Sequence, residues 1–281
     1  MRYYELKKRG TEVLLDAGIE NADYDALTLL LHVSGLSKIQ YSVGQRDEVS
    51  NAVEEQFMEL LERRAKHEPL QYIIGNTGFM GYTFFCEEGV LIPRYDTEVL
   101  VDRAVKCAPS RTLHVLDLCT GSGCIGISFY LLRKEAGFTD RVVLADISDQ
   151  ALSLAEKNKN SLSADLEIRK TDMYSGLKDE KYDIILSNPP YIPTKVIETL
   201  SEEVRDFEPL LALDGDEDGL KFYRLIVSGA REHLEPNGMI MLEIGHDQGM
   251  AVKGLLEDAG FSNVQIISDL GGTDRVVTAE L

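Results

Sequence analysis

Leu113-His114-Val115-Leu116-Asp117-Leu118-Cys119-Thr120-Gly121-Ser122-Gly123-Cys124 decides how the chain is read. A strand-like run passes directly into two glycines one residue apart, and a helical pattern spanning 124–133 begins at once. Glycine permits a tight turn and a close approach of backbone to a ligand. Strand, glycine loop and helix in that order open a nucleotide-binding α/β unit. No Gly-Lys-Ser/Thr follows, so the loop is not a P-loop. The two glycines alone leave the cofactor open.

Beyond this loop the pattern of strand, loop and helix repeats. Strands are predicted over 113–118, 142–145, 166–169, 183–187, 239–244, 264–267 and 276–279, with helices at 124–133, 149–158 and 219–233 between them. Such alternation implies a mainly parallel sheet covered by helices on both faces. Ligands of these sheets bind at the carboxyl ends of the strands, near the point where strand order reverses. The second strand ends in Asp146, whose carboxylate can accept both hydroxyls of a ribose. Asp117, just before the glycines, can hold the cationic amino-acid end of a cofactor, directly or through water. After the third strand, Asp172 can accept from an adenine amino group, and Met173 can pack against the ring.

The fourth strand runs into Asn188-Pro189-Pro190-Tyr191. Two prolines cannot donate to a sheet ladder, so the strand stops there. Each proline also keeps the residue before it extended, which makes the turn stiff before any ligand arrives. By itself such a stretch is equally an ordinary loop. Beside a glycine loop and Asp146 it becomes a place to hold a planar NH2 group. Two cofactor classes fit the loop: a nicotinamide dehydrogenase and a sulfonium-dependent methyltransferase. The turn favours the second. The lone pair of an amide or aromatic amine is delocalised, so its methylation needs orientation and acceptors for the N–H hydrogens, not a strong base. The Asn188 side-chain oxygen and the Pro189 carbonyl can be those acceptors, and Tyr191 can pack against the planar group.

Residues 1 to about 75 carry helical apolar stripes at 11–17, 24–33 and 48–66. From 72 to 92 the pattern turns to β-type runs broken by glycines, Tyr72-Ile73-Ile74-Gly75, 79–85 and Val90-Leu91-Ile92, which suggests a linking hairpin. Asp96 or Thr97 is placed to cap the helix at 98–107.

The 281 residues are enough for two domains. Net charge is −19, which argues against broad electrostatic binding to nucleic acid and suits a basic protein partner. The four cysteines form no Cys-x-x-Cys pair and no zinc-type spacing with histidine. The start lacks the apolar run of a signal peptide, and no stretch approaches 18 apolar residues. A cytoplasmic protein with no membrane association and no metal is the expectation.

The loop from Asp117 to Gly123, Asp146, and Asn188 to Tyr191 resemble the class I S-adenosylmethionine-dependent methyltransferases that modify planar nitrogens. Residues 68–75, Phe79-Met80-Gly81, and 91–98 resemble more closely the peptide chain release factor glutamine methyltransferases. So do Glu208-Pro209, Gly215 with Asp218-Gly219-Leu220, Glu243-Ile244-Gly245, and Asp269-Leu270 with Asp274-Arg275-Val276. The resemblance covers nearly the whole chain. It implies a seven-stranded, Rossmann-like α/β catalytic domain (96–281) with its last strand antiparallel. It also implies a small helical, partner-binding N-terminal domain (1–75) and a linking β-hairpin (76–95). The implied activity is transfer of a methyl group from S-adenosylmethionine to the side-chain N5 of the glutamine in the Gly-Gly-Gln motif of bacterial class I release factors, leaving S-adenosyl-L-homocysteine. Implied cofactor residues are Cys119, Thr120, Gly121, Ser122, Gly123, Asp146, Met173 and Asn188; Asn188, Pro189, Pro190 and Tyr191 would hold the glutamine. Cys119, Tyr95 and Met173 stand where the family commonly has glycine, proline and an aromatic. Two other substrates remain: a glutamine in a ribosomal protein, and an adenine in DNA. The second would need a basic groove and an added recognition domain, and neither is visible in the sequence.

Overall fold

The computed structural model describes residues 1–281. The chain divides into two compact units, Met1–Gly75 with Ser201–Phe207, and Asn76–Leu200 with Glu208–Leu281.

The first unit holds α1 (Tyr3–Asp16), α2 (Ala22–Ser34), α3 (Lys38–Gly44), α4 (Asn51–Ala65) and α5 (Leu70–Ile74). Leu6, Leu14, Leu29, Leu30, Phe57 and Leu61 are fully buried and form its core. The β-type run at Tyr72–Ile74 is a correction: these residues are helical. Gly75, at φ 77°, closes that helix, while Leu70, Tyr72 and Ile73 turn inward. Burial on a helical face outweighs the β preference of isoleucine and tyrosine. Arg64 is buried and bonds Asp25 Oδ2 at 2.7 Å, the Glu68 carbonyl at 3.0 Å and Glu203 Oε1 at 2.5 Å. Glu203 lies far along the chain, so the Ser201–Phe207 segment joins this unit through a charge pair.

The second unit opens with the hairpin β1 (Asn76–Phe79) and β2 (Tyr82–Phe85). Val90-Leu91-Ile92 is not a strand but a loop, with Val90 and Ile92 buried. A short 3-10 turn, Tyr95–Thr97, leads into α6 (Glu98–Cys107); neither Asp96 nor Thr97 caps it through a side chain. Then follow β3 (His114–Leu118), α7 (Cys124–Glu135), β4 (Arg141–Asp146), α8 (Asp149–Ser161), β5 (Glu167–Lys170) and β6 (Tyr182–Ser187). Short helices α9 (Thr194–Ile197), α10 (Glu202–Phe207, in the first unit) and α11 (Leu210–Leu213) come next. The chain ends with α12 (Lys221–His233), β7 (Leu234–Glu243), α13 (Gly249–Asp258), β8 (Ser262–Ser268) and β9 (Asp274–Glu280).

The sheet has seven strands in the order β5-β4-β3-β6-β7-β9-β8. The first five are parallel, and β9 runs antiparallel to both its neighbours. This is the seven-stranded, Rossmann-like sheet with an antiparallel β9 that the sequence led one to expect. Alternate residues of β3 face two cores: Val115 packs with α6 and α7, Leu116 and Leu118 with α12. Burial of both faces is the rule for parallel sheets. The strand order reverses between β3 and β6, which puts the ends of those two strands side by side, Leu118 against Ser187.

Replacing Arg64 by alanine would leave the Asp25 carboxylate buried and unpaired. Arg64→Ala is expected to cost about 3–5 kcal/mol at pH 7, read from urea unfolding of the whole chain. Burial already raises the Asp25 pKa, so the cost should shrink toward pH 4 as the group protonates. A loss under about 1 kcal/mol at pH 7 would refute the ion-pair account.

Candidate active site

The carboxyl ends of β3 and β6 border a cavity that is open to solvent. The Ser187 hydroxyl donates to the Leu118 carbonyl at 2.6 Å and fixes the two strand ends against each other.

The glycine loop is braced from behind. Asp117 is fully buried; its Oδ2 accepts from the Thr120 hydroxyl at 2.5 Å and from the Gly126 amide at 2.9 Å. The Thr120 amide donates to the Ala145 carbonyl at 3.0 Å. Gly123 sits at φ 82° as the N-cap of α7, and a Cβ there would lie 2.8 Å from Ile127 Cδ1. Glycine meets both demands. Cys119 takes the same left-handed region at φ 60°, where a side chain is disfavoured. Asn158, on α8 and fully buried, donates to the Ser122 carbonyl at 2.9 Å and accepts from the Phe85 amide at 2.7 Å. It ties the loop to β2.

Asp146 ends β4. Its Oδ2 accepts from the Gly121 amide and its Oδ1 from the Ser148 amide, both at 2.9 Å. A carboxylate offers about four acceptor positions, so two remain for ribose hydroxyls. Asp117 Oδ1 is buried without a partner. Burial, opposed by the Thr120 and Gly126 bonds, raises this carboxyl to about 7. An orphaned acceptor behind a glycine loop, with a half-occupied carboxylate across from it, fits a cofactor that carries both an ammonium group and a ribose.

Of the residues singled out in the sequence, Cys119, Thr120, Gly121, Ser122, Asp146, Met173, Asn188 and Pro190 line the cavity. Asp117, Gly123, Asp172 and Tyr191 do not, nor does Pro189, whose carbonyl nevertheless belongs to the turn segment between the lining residues Asn188 and Pro190. Asp172 is exposed, while Thr171 and Met173 on either side line the wall. The backbone there turns alternate residues inward, and Asp172 is the one turned out. Tyr191 is half-buried and packs against the core that includes Tyr223 and Leu242; it is not among the residues that line the cavity.

The Asn-Pro-Pro-Tyr turn is clamped from behind. Gln248 Nε2 donates to the Tyr191 carbonyl at 2.9 Å and to the Gly219 carbonyl at 3.3 Å. A Cβ on Gly215 would lie 2.9 Å from Tyr191 Cα, and one on Gly219, at φ 72°, would collide with the Tyr191 carbonyl. That accounts for the glycines at 215 and 219. Asn188 Nδ2 donates to Thr97 Oγ1 at 3.4 Å, which leaves Oδ1 free. No N–H of the chain donates to the Pro189 carbonyl. Arg94, on the cavity wall, is held by both carboxylate oxygens of buried Glu208 at 2.6 Å. Gln248 and Asn158 carried no sequence signal, since a lone amide side chain has no diagnostic spacing. Arg94 and Glu208 lay in the resembling segments, but nothing in the sequence pairs them.

Two family models match: the PrmC N-terminal domain over residues 5–75, and the methyltransferase small domain over residues 95–204. A release factor glutamine methyltransferase of Geobacter sulfurreducens is 40% identical over 264 residues, covering 94% of this chain and 91% of its own. One from Cereibacter sphaeroides is 38% identical, covering 100% and 99%. Among solved structures, a T. thermophilus 16S rRNA N2 G1207 methyltransferase in complex with AdoMet and guanosine aligns with a TM-score of 0.53. It is 19% identical, covering 73% of this chain and 49% of that one, a likeness of fold.

Asp117 has a testable cost. Its folded pKa is raised to about 7 from an ordinary 3.8. Its contribution to stability is therefore fully present below about pH 4 and lost as pH rises through 7. Asp117→Asn should raise the melting temperature at pH 8, by about 2–4 °C for each kcal/mol relieved, and leave it unchanged at pH 4. An unchanged melting temperature at pH 8 would show that the loop solvates the charge.

Proposed function

The chain belongs to the release factor glutamine methyltransferases, an S-adenosylmethionine-dependent protein-methylating family, and from that premise we propose how its residues perform the transfer. The acceptor is the side-chain N5 of the glutamine in the Gly-Gly-Gln motif of class I peptide chain release factors, and the reaction takes place in the cytoplasm. The observation that carries this reading is the pairing of Leu118 with Ser187, which sets the glycine loop beside Asn188 on one cavity.

S-adenosylmethionine, when bound, supplies an electrophilic methyl group. Cys119 to Ser122 give it a backbone cradle, Asp146 takes the ribose, and Met173 packs on the adenine. A thioether suits an aromatic face. Asp117 acts behind the loop, through the loop backbone or through water. Asn188 Oδ1 and the Pro189 carbonyl accept the two N–H hydrogens of the glutamine amide. Their partial negative charge then faces the nitrogen as positive charge builds on it. Two rigid acceptors also fix the nitrogen's orientation, at no further entropic cost on binding. Pro190, with no N–H, offers the substrate amide no competing donor. The proton leaves after transfer, so no strong base is required. Tyr191 holds the turn from beneath. The partner-binding role of the helical unit, Met1–Gly75, belongs to the same proposal.

The test is incubation with labelled S-adenosylmethionine and purified release factor, followed by peptide mass spectrometry. Label is expected on the Gly-Gly-Gln glutamine. Label on a ribosomal protein or on DNA instead would overturn the substrate assignment. Asn188→Ala should lower turnover by on the order of 10²–10³-fold, by analogy with loss of one oxyanion-hole donor. Asp146→Ala should chiefly weaken S-adenosylmethionine affinity, measured by calorimetry. Unchanged turnover in the first, or unchanged affinity in the second, would contradict the assigned role.

A further inference from the structure

Glu243 ends β7 and is only 2% exposed. Its Oε2 is buried with no hydrogen-bond partner. The strand before it, Met241 and Leu242, is apolar core, so a carboxylate here opposes the local pattern. β7 lies beside β6, with Leu242 opposite Ser187, which brings Glu243 alongside Asn188. The side-chain donors that face its carboxylate are the Thr97 hydroxyl and the Asn188 amide. Thr97 is equally buried and accepts from Asn188 Nδ2. Glu243 does not line the cavity, so it reaches a substrate only through Asn188.

We propose that Glu243 is a positioning residue for methyl transfer. With Thr97 it engages the NH2 end of Asn188 and so turns Oδ1 toward the substrate amide. The ionised carboxylate is an acceptor only, and it can hold just one end of the Asn188 amide. Its negative charge also sits one side chain away from the nitrogen on which positive charge develops. This rests on the reading of Asn188 as the acceptor for the glutamine NH2.

The surroundings make the arrangement pH-sensitive. Burial raises the Glu243 carboxyl to about 7. Thr97 on the α6 side and Asn188 on the β6 side favour the charged form. Asp96 opposes it, and Arg275 on β9, held by Asp96 at 2.9 Å and Asp269 at 3.0 Å, supports it. Tyr191, Tyr223 on α12 and Cys124 on α7 face the same carboxyl. Below about pH 7 the protonated group can also donate, so it accommodates either end of the Asn188 amide and no longer holds the NH2 end alone. Turnover should therefore fall as pH falls through 7.

The experiment compares wild type, Glu243→Gln and Thr97→Val with purified release factor at saturating S-adenosylmethionine. Saturation keeps Asp117 from contributing an acid limb through cofactor binding. Wild-type kcat should show an acid limb with a midpoint near 7. Glu243→Gln should lower kcat at pH 8 by about 10- to 100-fold, lose the limb, and bind S-adenosylmethionine with unchanged affinity by calorimetry. Thr97→Val should lower kcat and keep the limb. If Glu243→Gln retains wild-type kcat and the limb, the proposal is overturned. It is equally overturned if the loss of kcat comes only with lost cofactor affinity. Should Glu243→Gln fail to fold, an unchanged kcat in Thr97→Val overturns it. Failure of the wild-type chain to label the release factor is a separate result, which would remove the substrate reading instead.

Discussion

The parallel pairing of β3 with β6 is the constraint on which the site depends. Neither strand end is a site alone. Asp117 to Gly123 is a cradle with nothing to act on, and Asn188 to Tyr191 is a rigid turn with no reagent. The sheet order reverses between these strands, so the helices that follow them leave on opposite faces and a crevice opens between. The Ser187 hydroxyl on the Leu118 carbonyl removes the remaining freedom of slip. The two halves of the chemistry are thus held in register by backbone and one buried side chain. Register in a packed sheet changes only by whole residues, and a one-residue slip would exchange the side chains that β3 and β6 send into the two cores. That is a far stiffer reference than any loop contact.

Behind this frame the fold carries two buried carboxylates, Asp117 and Glu243, each raised to about 7 and each with one oxygen lacking a partner. Such groups oppose folding, since an unmatched buried acceptor costs about 1–3 kcal/mol. Both lie one layer behind the cavity, Asp117 under the glycine loop and Glu243 behind Asn188. Buried polar cost that clusters behind a cavity points to electrostatic preparation of the site. The clamp on the far side of the turn is of another kind. Gln248, Gly215 and Gly219 have matched contacts, and they set shape, not charge.

Much of this was legible in the sequence because the signals are local. The glycine pair after β3, the acid at the end of β4 and the double proline after β6 each depend only on neighbours in the chain, and the alternation of strand and helix gave the sheet. What escaped depends on distant partners. Tyr72-Ile73-Ile74 has strand composition, yet its helical form follows from what it packs against. Asp172 and Met173 are adjacent in sequence, and only the path of the backbone decides that one faces solvent and the other the cavity. Tyr191 carries an aromatic ring suited to stacking, but Gln248 and Gly219 hold its backbone where the ring meets the core. Asn158 joins the loop to a hairpin that precedes it by some seventy residues, and no spacing rule could show it.

The assignment of residues to the two units adds a consequence of connectivity. The chain passes between the units not once, as the family-like domain order of 1–75 and 96–281 suggested, but three times: at 75/76, 200/201 and 207/208. The second and third crossings bracket α10, whose Glu203 is bound by Arg64 within the helical unit. The crossings also flank residues that shape the cavity. Before them lies the segment from Pro190 to Leu200, which begins at the Asn-Pro-Pro-Tyr turn. After them comes Glu208, whose carboxylate fixes Arg94 on the cavity wall. The Arg64–Asp25–Glu203 network holds α10 within the helical unit, although α10 comes late in the chain. A buried charge network is costly to desolvate, and removing one partner leaves the others uncompensated, so the return of α10 to this unit rests on Arg64 keeping both of its carboxylates.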